Sequence, residues 1–384
     1  MGVIRAQIKP DMLRWARERA SFSLASLSKR FPKVTAWESG KSSPTLKQVE
    51  SYAKATHVPL GYLFLPEPPQ EHIPIPDLRT IRNQDISHPS PDLLDTIHTM
   101  QRRQAWLREE RIECEAEPLD FVGSARPADD PQGVAREMRR MVGFDDGWAA
   151  TVRTWREAVG ELRRAMEDLG VMAVVNGVVG NNTRRKLDVE EFRGFALSDE
   201  YAPLVFVNGA DAKSAQMFTL VHELAHVWLG ESALTDIGLT SQPSQEIETW
   251  CDRAAAEFLV PAREMKACWR DIRHEESPFD TLARRFKTSP IVAARRAMDL
   301  RLVSREMFFT FYEQYIARER RQRPASGGGD FYNNQNTRVG ERFALQVIRA
   351  AKEGRVSFKE AYDLTGLRGG AFQQYANRLG VNLP

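Results

Sequence analysis

Residues 221–230 read Val-His-Glu-Leu-Ala-His-Val-Trp-Leu-Gly, and the pattern His222-Glu223-Leu224-Ala225-His226 sits inside an apolar run with helical spacing. On an α-helix His222 and His226 project from one face, a turn apart, where two imidazoles can share one tetrahedral Zn²⁺. Glu223 stands beside them, placed to take a proton from a water that the cation has acidified toward neutral pH. The chemistry this trio points to is peptide hydrolysis. Three fixed positions in five recur by chance, so the flanks matter. Gln216–Val221 and Val227–Gly230 extend one amphipathic segment, and Gly230 stands where a helix C-terminus is expected. The bland alternative is a core helix with two satisfied histidines, yet a soluble helix rarely buries two His and a Glu without employment.

A catalytic zinc needs a third protein ligand and an open fourth position. The best candidate is Glu248, 22 residues after His226, in a stretch from Glu246 to Leu259 that reads as a second helix stopped before Pro261. Asp252 falls one turn after Glu248 on the same face. It is placed to receive the outer N–H of a ligand histidine and so to fix its tautomer. Glu246 is the rival third ligand. Cys251, a small residue in an Ala-rich helix, reads as packing.

These residues resemble the ImmA/IrrE-type metallopeptidases, zinc-dependent gluzincin-like enzymes of bacteria and their mobile elements. The likeness rests on Phe218–His226, on Glu248 with Asp252, and on Ala255-Ala256-Glu257-Phe258-Leu259-Val260-Pro261. It assigns Glu248 as the third zinc ligand beside His222 and His226. Cys251-Asp252 stand where Ala-Asn is commoner in the family. Phe192–Leu197 and Leu204–Asn208 look like the family's strand pair, and their alternation and β-branched content argue for strands independently.

Charge marks a different module at the N-terminus. Residues 1–66 hold eleven Lys and Arg against four Asp and Glu, whereas the whole chain carries a net charge of only +2. Such asymmetry suggests a nucleic-acid-facing unit. Helical patterns over 12–20, 23–30, 34–41 and from 44 onward, with Trp37-Glu38-Ser39-Gly40 before Pro44-Thr45-Leu46, resemble the Xre/Cro-type helix-turn-helix. Chains that join this module to the peptidase commonly close it as Leu63–Pro69 does here. Only Phe31–Ala36 separate Arg30 from Trp37, about four residues fewer than this type usually has, and the shortage falls on the turn and the front of the recognition helix. Arg30, Lys33 and Lys41 remain as phosphate-gripping candidates, and a protein-docking role for the module stays open.

Prolines crowd 66–92, a stiff connector, and 92–111 reads as a charged amphipathic helix followed by a looser acidic segment. Further helices are expected near 134–142 and 155–169, and a first strand at Val171–Val175. After the zinc helices, 282–298 forms a helix-turn-helix-like pair that in the resembled family packs on the peptidase core. A basic helix over 303–323, a Gly327–Gly329 linker without the Lys of a phosphate loop, and helical regions at 339–354 and 357–380 complete the chain. No apolar run approaches about 18 residues and no signal-peptide core opens the sequence, so no membrane partner and a cytoplasmic location are expected. Three scattered cysteines give no disulfide framework.

The expected fold is mostly α with a small mixed β-sheet. It comprises a helix-turn-helix bundle (1–66), a connector with a linker helix (67–130), a zincin-like, gluzincin-like α+β peptidase domain with a helical subdomain (131–323), and a linker plus helical extension (324–384). The motif chemistry points to a Zn²⁺ endopeptidase, the resemblance implies a repressor-like regulatory protein as its substrate, and double-stranded DNA or a cognate toxin are further expected partners. A second class is a DNA-binding regulator or antitoxin whose peptidase fold acts as a sensor or a toxin-binding scaffold.

Overall fold

A computed structural model describes residues 5–69, 89–230, 245–319 and 331–383. Among them the protein is mostly helical, with a three-stranded mixed sheet and a two-stranded ribbon. Contacts divide these residues into two units, one of 5–69 with 89–98 and one running from Thr99 onward.

The first unit strings together helices Pro10–Arg19, Leu24–Ser28, Val34–Glu38 and Leu46–Thr56, followed by a 3-10 turn at Leu60–Phe64. Their starts are written in the sequence. The Ser23 hydroxyl accepts from the Ser26 amide, and Thr45 with Gln48 forms a reciprocal capping box. Leu13, Ala16, Val34, Trp37, Val49 and Tyr52 fill the core. The Trp37-Glu38 pair is explained by burial: Glu38 accepts from Arg17 Nε and Nη2 at 2.8 and 3.0 Å, so a buried carboxylate is matched by a bidentate guanidinium. The third helix, expected over 34–41, ends at Glu38 and spans five residues, as the second helix also does.

The second unit is built on strands β1 (Met172–Asn176), β4 (Gly194–Leu197) and β5 (Leu204–Asn208), in the order β1-β5-β4. β1 runs parallel to β5, and β4 antiparallel to it. All three strands are buried at every residue because helices pack on the sheet, Trp155–Asp168 against β1 and Lys213–Leu229 against β4 and β5. A ribbon of β2 (Val178–Val179) and β3 (Asn182–Lys186) follows β1. Its second strand, Asn-Thr-Arg-Arg-Lys, has no apolar alternation, which is why the pattern did not announce it.

The segment after the long helix Pro91–Glu113, expected to be a loose acidic stretch, is instead part of this core. Phe121 stacks on Trp228 with ring centroids 4.4 Å apart, and the amides of Gly123 and Ala125 donate to the carbonyls of Val227 and Trp228 at 3.1 and 2.9 Å. These bonds satisfy carbonyls that a helix end leaves open. Gly230 ends that helix in the left-handed region at φ +67°, where a Cβ would come within 2.6 Å of Gly123 Cα.

The C-terminal helices Phe331–Val339, Glu341–Lys352, Phe358–Thr365 and Gly370–Arg378 belong to the same unit, and the region expected as helical over 357–380 is split at Gly366–Gly369. Buried Arg103 donates to the carbonyls of Leu364 and Arg338 at 2.9 and 3.0 Å, while Phe331–Val339 lies against β1. The glycine linker at 327–329 and most of the proline-rich connector lie outside the described residues. Among the described residues no helix is long and apolar enough to cross a membrane.

Glu167 couples this extension to the sheet domain. It is ion-paired with Arg163 and faces the backbone N–H of Arg342, at 3.5 Å, at the start of Glu341–Lys352. Burial outweighs the Arg163 charge and pushes its carboxyl up to about 7. A carboxyl whose folded value is raised contributes stability below its ordinary value and loses that contribution as pH rises through the folded one. The thermal midpoint is therefore expected to fall more steeply between about pH 5 and pH 8 in the wild type than in Glu167→Gln. Parallel pH curves for the two proteins would show that Glu167 does not titrate in this range.

Candidate metal centre

The helix Lys213–Leu229 begins five residues after β5 ends, so the sheet fixes both its start and its direction. It is apolar on nearly every side, and Leu220, Leu224 and Trp228 carry it into the main core. His222, Glu223 and His226 are buried with it. Polar groups withdrawn from water need partners, and the neighbouring helix Gln245–Leu259 brings carboxylates to the two histidines.

Three side chains meet there. His222 Nε2 and His226 Nε2 are 3.2 Å apart, and the Glu248 oxygens approach them at 3.4 and 3.2 Å. Ligands about 2.0–2.2 Å from a zinc ion stand roughly 3.3–3.6 Å apart at the corners of a tetrahedron, so two imidazole nitrogens and a carboxylate at these separations fit that ion without rearrangement. Asp252 lies behind His222, its Oδ1 3.2 Å from His222 Nδ1. Glu246, the rival ligand, is exposed and outside the cluster. Cys251 is fully buried in the apolar core, a packing position.

Two buried arginines hold the helix that presents Glu248. Arg139 donates to the Phe258 carbonyl at 2.9 Å, and Arg296 Nε donates to the Val260 carbonyl at 3.0 Å. Arg296 also pairs with Glu257, whose carboxylate accepts from the Ala262 amide and so turns the chain into the next helix. The Glu257-Phe258-Leu259-Val260-Pro261 signature is therefore a helix terminus tied down from two sides.

Gly194, the first residue of β4, was not singled out by sequence. A Cβ there would come 2.6 Å from Thr219 Cγ2, 2.8 Å from the Phe206 carbonyl oxygen and 3.2 Å from Glu223 Cγ. The strand can pass this close to Glu223 only with glycine. A glycine between Arg193 and Phe195 in an otherwise apolar strand was the available signal. Arg30, Lys33 and Lys41 lie in the other unit and are exposed.

Comparison with known families addresses this span directly. Residues 167–298 match the peptidase family described as the IrrE N-terminal-like domain. The match takes in the five strands among the described residues and both helices that carry the cluster. Residues 339–378 match a family described only as a domain of unknown function. None of the curated proteins matches the chain. Among solved structures, one titled Mycobacterium tuberculosis transcriptional regulator is 18% identical over 51% of this chain, with a TM-score of 0.29. The chain spans 52% of that structure, a likeness from which nothing about activity transfers.

The IrrE-like span makes a separable prediction about its ligands. Glu248→Ala and His226→Ala are expected to lose most of the zinc measured by atomic absorption on purified protein, and Glu246→Ala to keep it. Loss of metal in Glu246→Ala with retention in Glu248→Ala would exchange their roles. Gly194→Ala is expected to lower the thermal midpoint by several degrees, because backbone and Thr219 must give way. An unchanged midpoint would mean that the strand can retreat from Glu223 at no cost.

Proposed function

We propose that the protein is a zinc-dependent endopeptidase that cleaves a regulatory protein of repressor type, joined to an N-terminal helix-turn-helix module. The observation that carries this reading is the convergence of His222, His226 and Glu248 at tetrahedral separations, beside a buried Glu223 that is next to the ligands in sequence without being one of them. Membership of the IrrE-like span in a peptidase family supports the reaction class. The resemblance of the His222–His226 and Glu248 motifs to ImmA/IrrE-type metallopeptidases supports a regulatory protein as the substrate.

His222, His226 and Glu248 would hold the zinc, and Asp252 would keep the His222 ring in the tautomer that leaves Nε2 free to bind it. Zinc, when bound, supplies the Lewis acidity that polarises the scissile carbonyl and makes a nearby water nucleophilic at neutral pH. Glu223 takes the proton from the attacking water and returns it to the leaving amine. Its position in a buried, largely apolar helix keeps bulk water away from that transfer.

In this reading the N-terminal module, residues 1–66, brings the peptidase to DNA or to a partner. With a five-residue third helix it offers little recognition surface, and its exposed Arg30, Lys33 and Lys41 serve as phosphate contacts. Replacing all three with Ala is expected to reduce the salt slope of DNA binding by up to about three and to weaken all sequences alike. Loss of one sequence only would show direct base reading by these residues.

Glu223→Gln tests the chemistry. The variant keeps volume and the metal ligands but has no proton acceptor, so zinc content and thermal midpoint are expected to stay near wild type while proteolysis falls about 10²- to 10⁴-fold. Full biological activity in Glu223→Gln would make the site a sensor, and the protein a regulator that does not cut.

A further inference from the structure

We propose that residues 341–378 form a second DNA-reading module, in which Gly370–Arg378 lies in the major groove of double-stranded DNA as a recognition helix. The inference is independent of the zinc site. It starts from connectivity: Glu341–Lys352, Phe358–Thr365 and Gly370–Arg378 are three short helices, and the last two are joined by the four residues 366–369. A tight turn of three or four residues containing glycine between two helices is the mark of the helix-turn-helix. Here Gly366 takes φ +71° and Gly369 takes φ +51°, conformations that disfavour any side chain.

The third helix is two-sided. Phe372, Tyr375 and Ala376 are buried, with Phe372 set edge-on to Tyr362 of the preceding helix at 5.1 Å. The outer side presents Gln374, Asn377 and Arg378, with Gln373 partly covered through a 3.5 Å contact to the Leu383 carbonyl. Gln and Asn are the side chains that pair bidentately with adenine, and Arg the one that pairs with guanine. Residues 366–380 contain Arg368 and Arg378 and no carboxylate, although Asp363 of the preceding helix lies 3.3 Å from Arg368. An outer face of amides and arginines suits base edges between phosphates better than it suits a protein surface, where an apolar centre is needed.

Gly370 adds a separate observation. A Cβ at this position would meet nothing within 4 Å, so the protein's own packing does not require glycine there. A bare backbone at the front of a recognition helix allows close approach to the groove. The ribbon β2–β3 flanks this end: Asn181, at its tip, donates to the Gly366 carbonyl at 3.1 Å, and exposed Arg184 and Lys186 follow on β3. In the proposed complex these two cations are the candidate contacts to the DNA backbone.

The test is selection from a randomised duplex pool with the full-length protein, followed by anisotropy titrations of the selected duplex against salt. The wild type is expected to enrich a motif. Gln374→Ala/Asn377→Ala should lose roughly 5- to 150-fold discrimination at each base it reads. Gly370→Leu should keep the thermal midpoint and lose the selected duplex. Arg184→Ala/Lys186→Ala should weaken all duplexes and lower the salt slope by about two. A pool that stays unenriched would overturn the proposal. So would a motif that survives Gln374→Ala/Asn377→Ala and Gly370→Leu but vanishes when Arg30, Lys33 and Lys41 are replaced, since the reader would then be N-terminal.

Discussion

A helix buried on almost every side that carries His, Glu and His is the constraint from which the rest of the sheet-containing unit follows. Taking two imidazoles and a carboxylate out of water costs free energy unless partners are already in place. Here Glu248 and Asp252 from one neighbouring helix bring carboxylates to the two histidines, so the two helices have little freedom to slide without losing the match. The separations between the three candidate ligands follow from that pairing.

The packing around the pair serves the same end. The Lys213–Leu229 helix is fixed at its start by the strand that feeds it and at its finish by the strap of residues 121–125. The Gln245–Leu259 helix is fixed at its finish by Arg139 and Arg296, two buried guanidiniums that occupy carbonyls a helix end leaves open. Buried ionic groups are weak sources of net stability, but removing one partner is costly, and this makes them effective at specifying a single arrangement. Ligand geometry tolerates errors of only a fraction of an ångström, so rigid supports of this kind suit a metal centre.

The C-terminal helices are part of this construction and not an appendage. Arg103 ties them to the helix Pro91–Glu113 and Glu167 to the helix that packs on β1, and Gln335 donates to the Thr365 carbonyl within the extension itself. A module fastened by buried polar contacts keeps a defined orientation toward the β2–β3 ribbon, whose Asn181 donates to the Gly366 carbonyl.

The HExxH spacing, the helical patterns of the N-terminal module and the stop at Pro261 were legible because each acts over a few residues: helical periodicity and proline sterics are local. The strands β1, β4 and β5 were legible for the same reason. Glu248 could be ranked above Glu246 by sequence, but only the packing of the two helices put one carboxylate on the histidines and left the other in solvent. The strap at Phe121, the glycine at 194 and the arginine ties to Phe258 and Val260 were invisible beforehand. Their partners lie between 12 and 119 residues away along the chain, and no local pattern encodes which distant backbone will pass within van der Waals distance. Sequence alone determined which side chains could do the chemistry; tertiary structure decided which of them meet, because contact between remote segments depends on how a whole core closes.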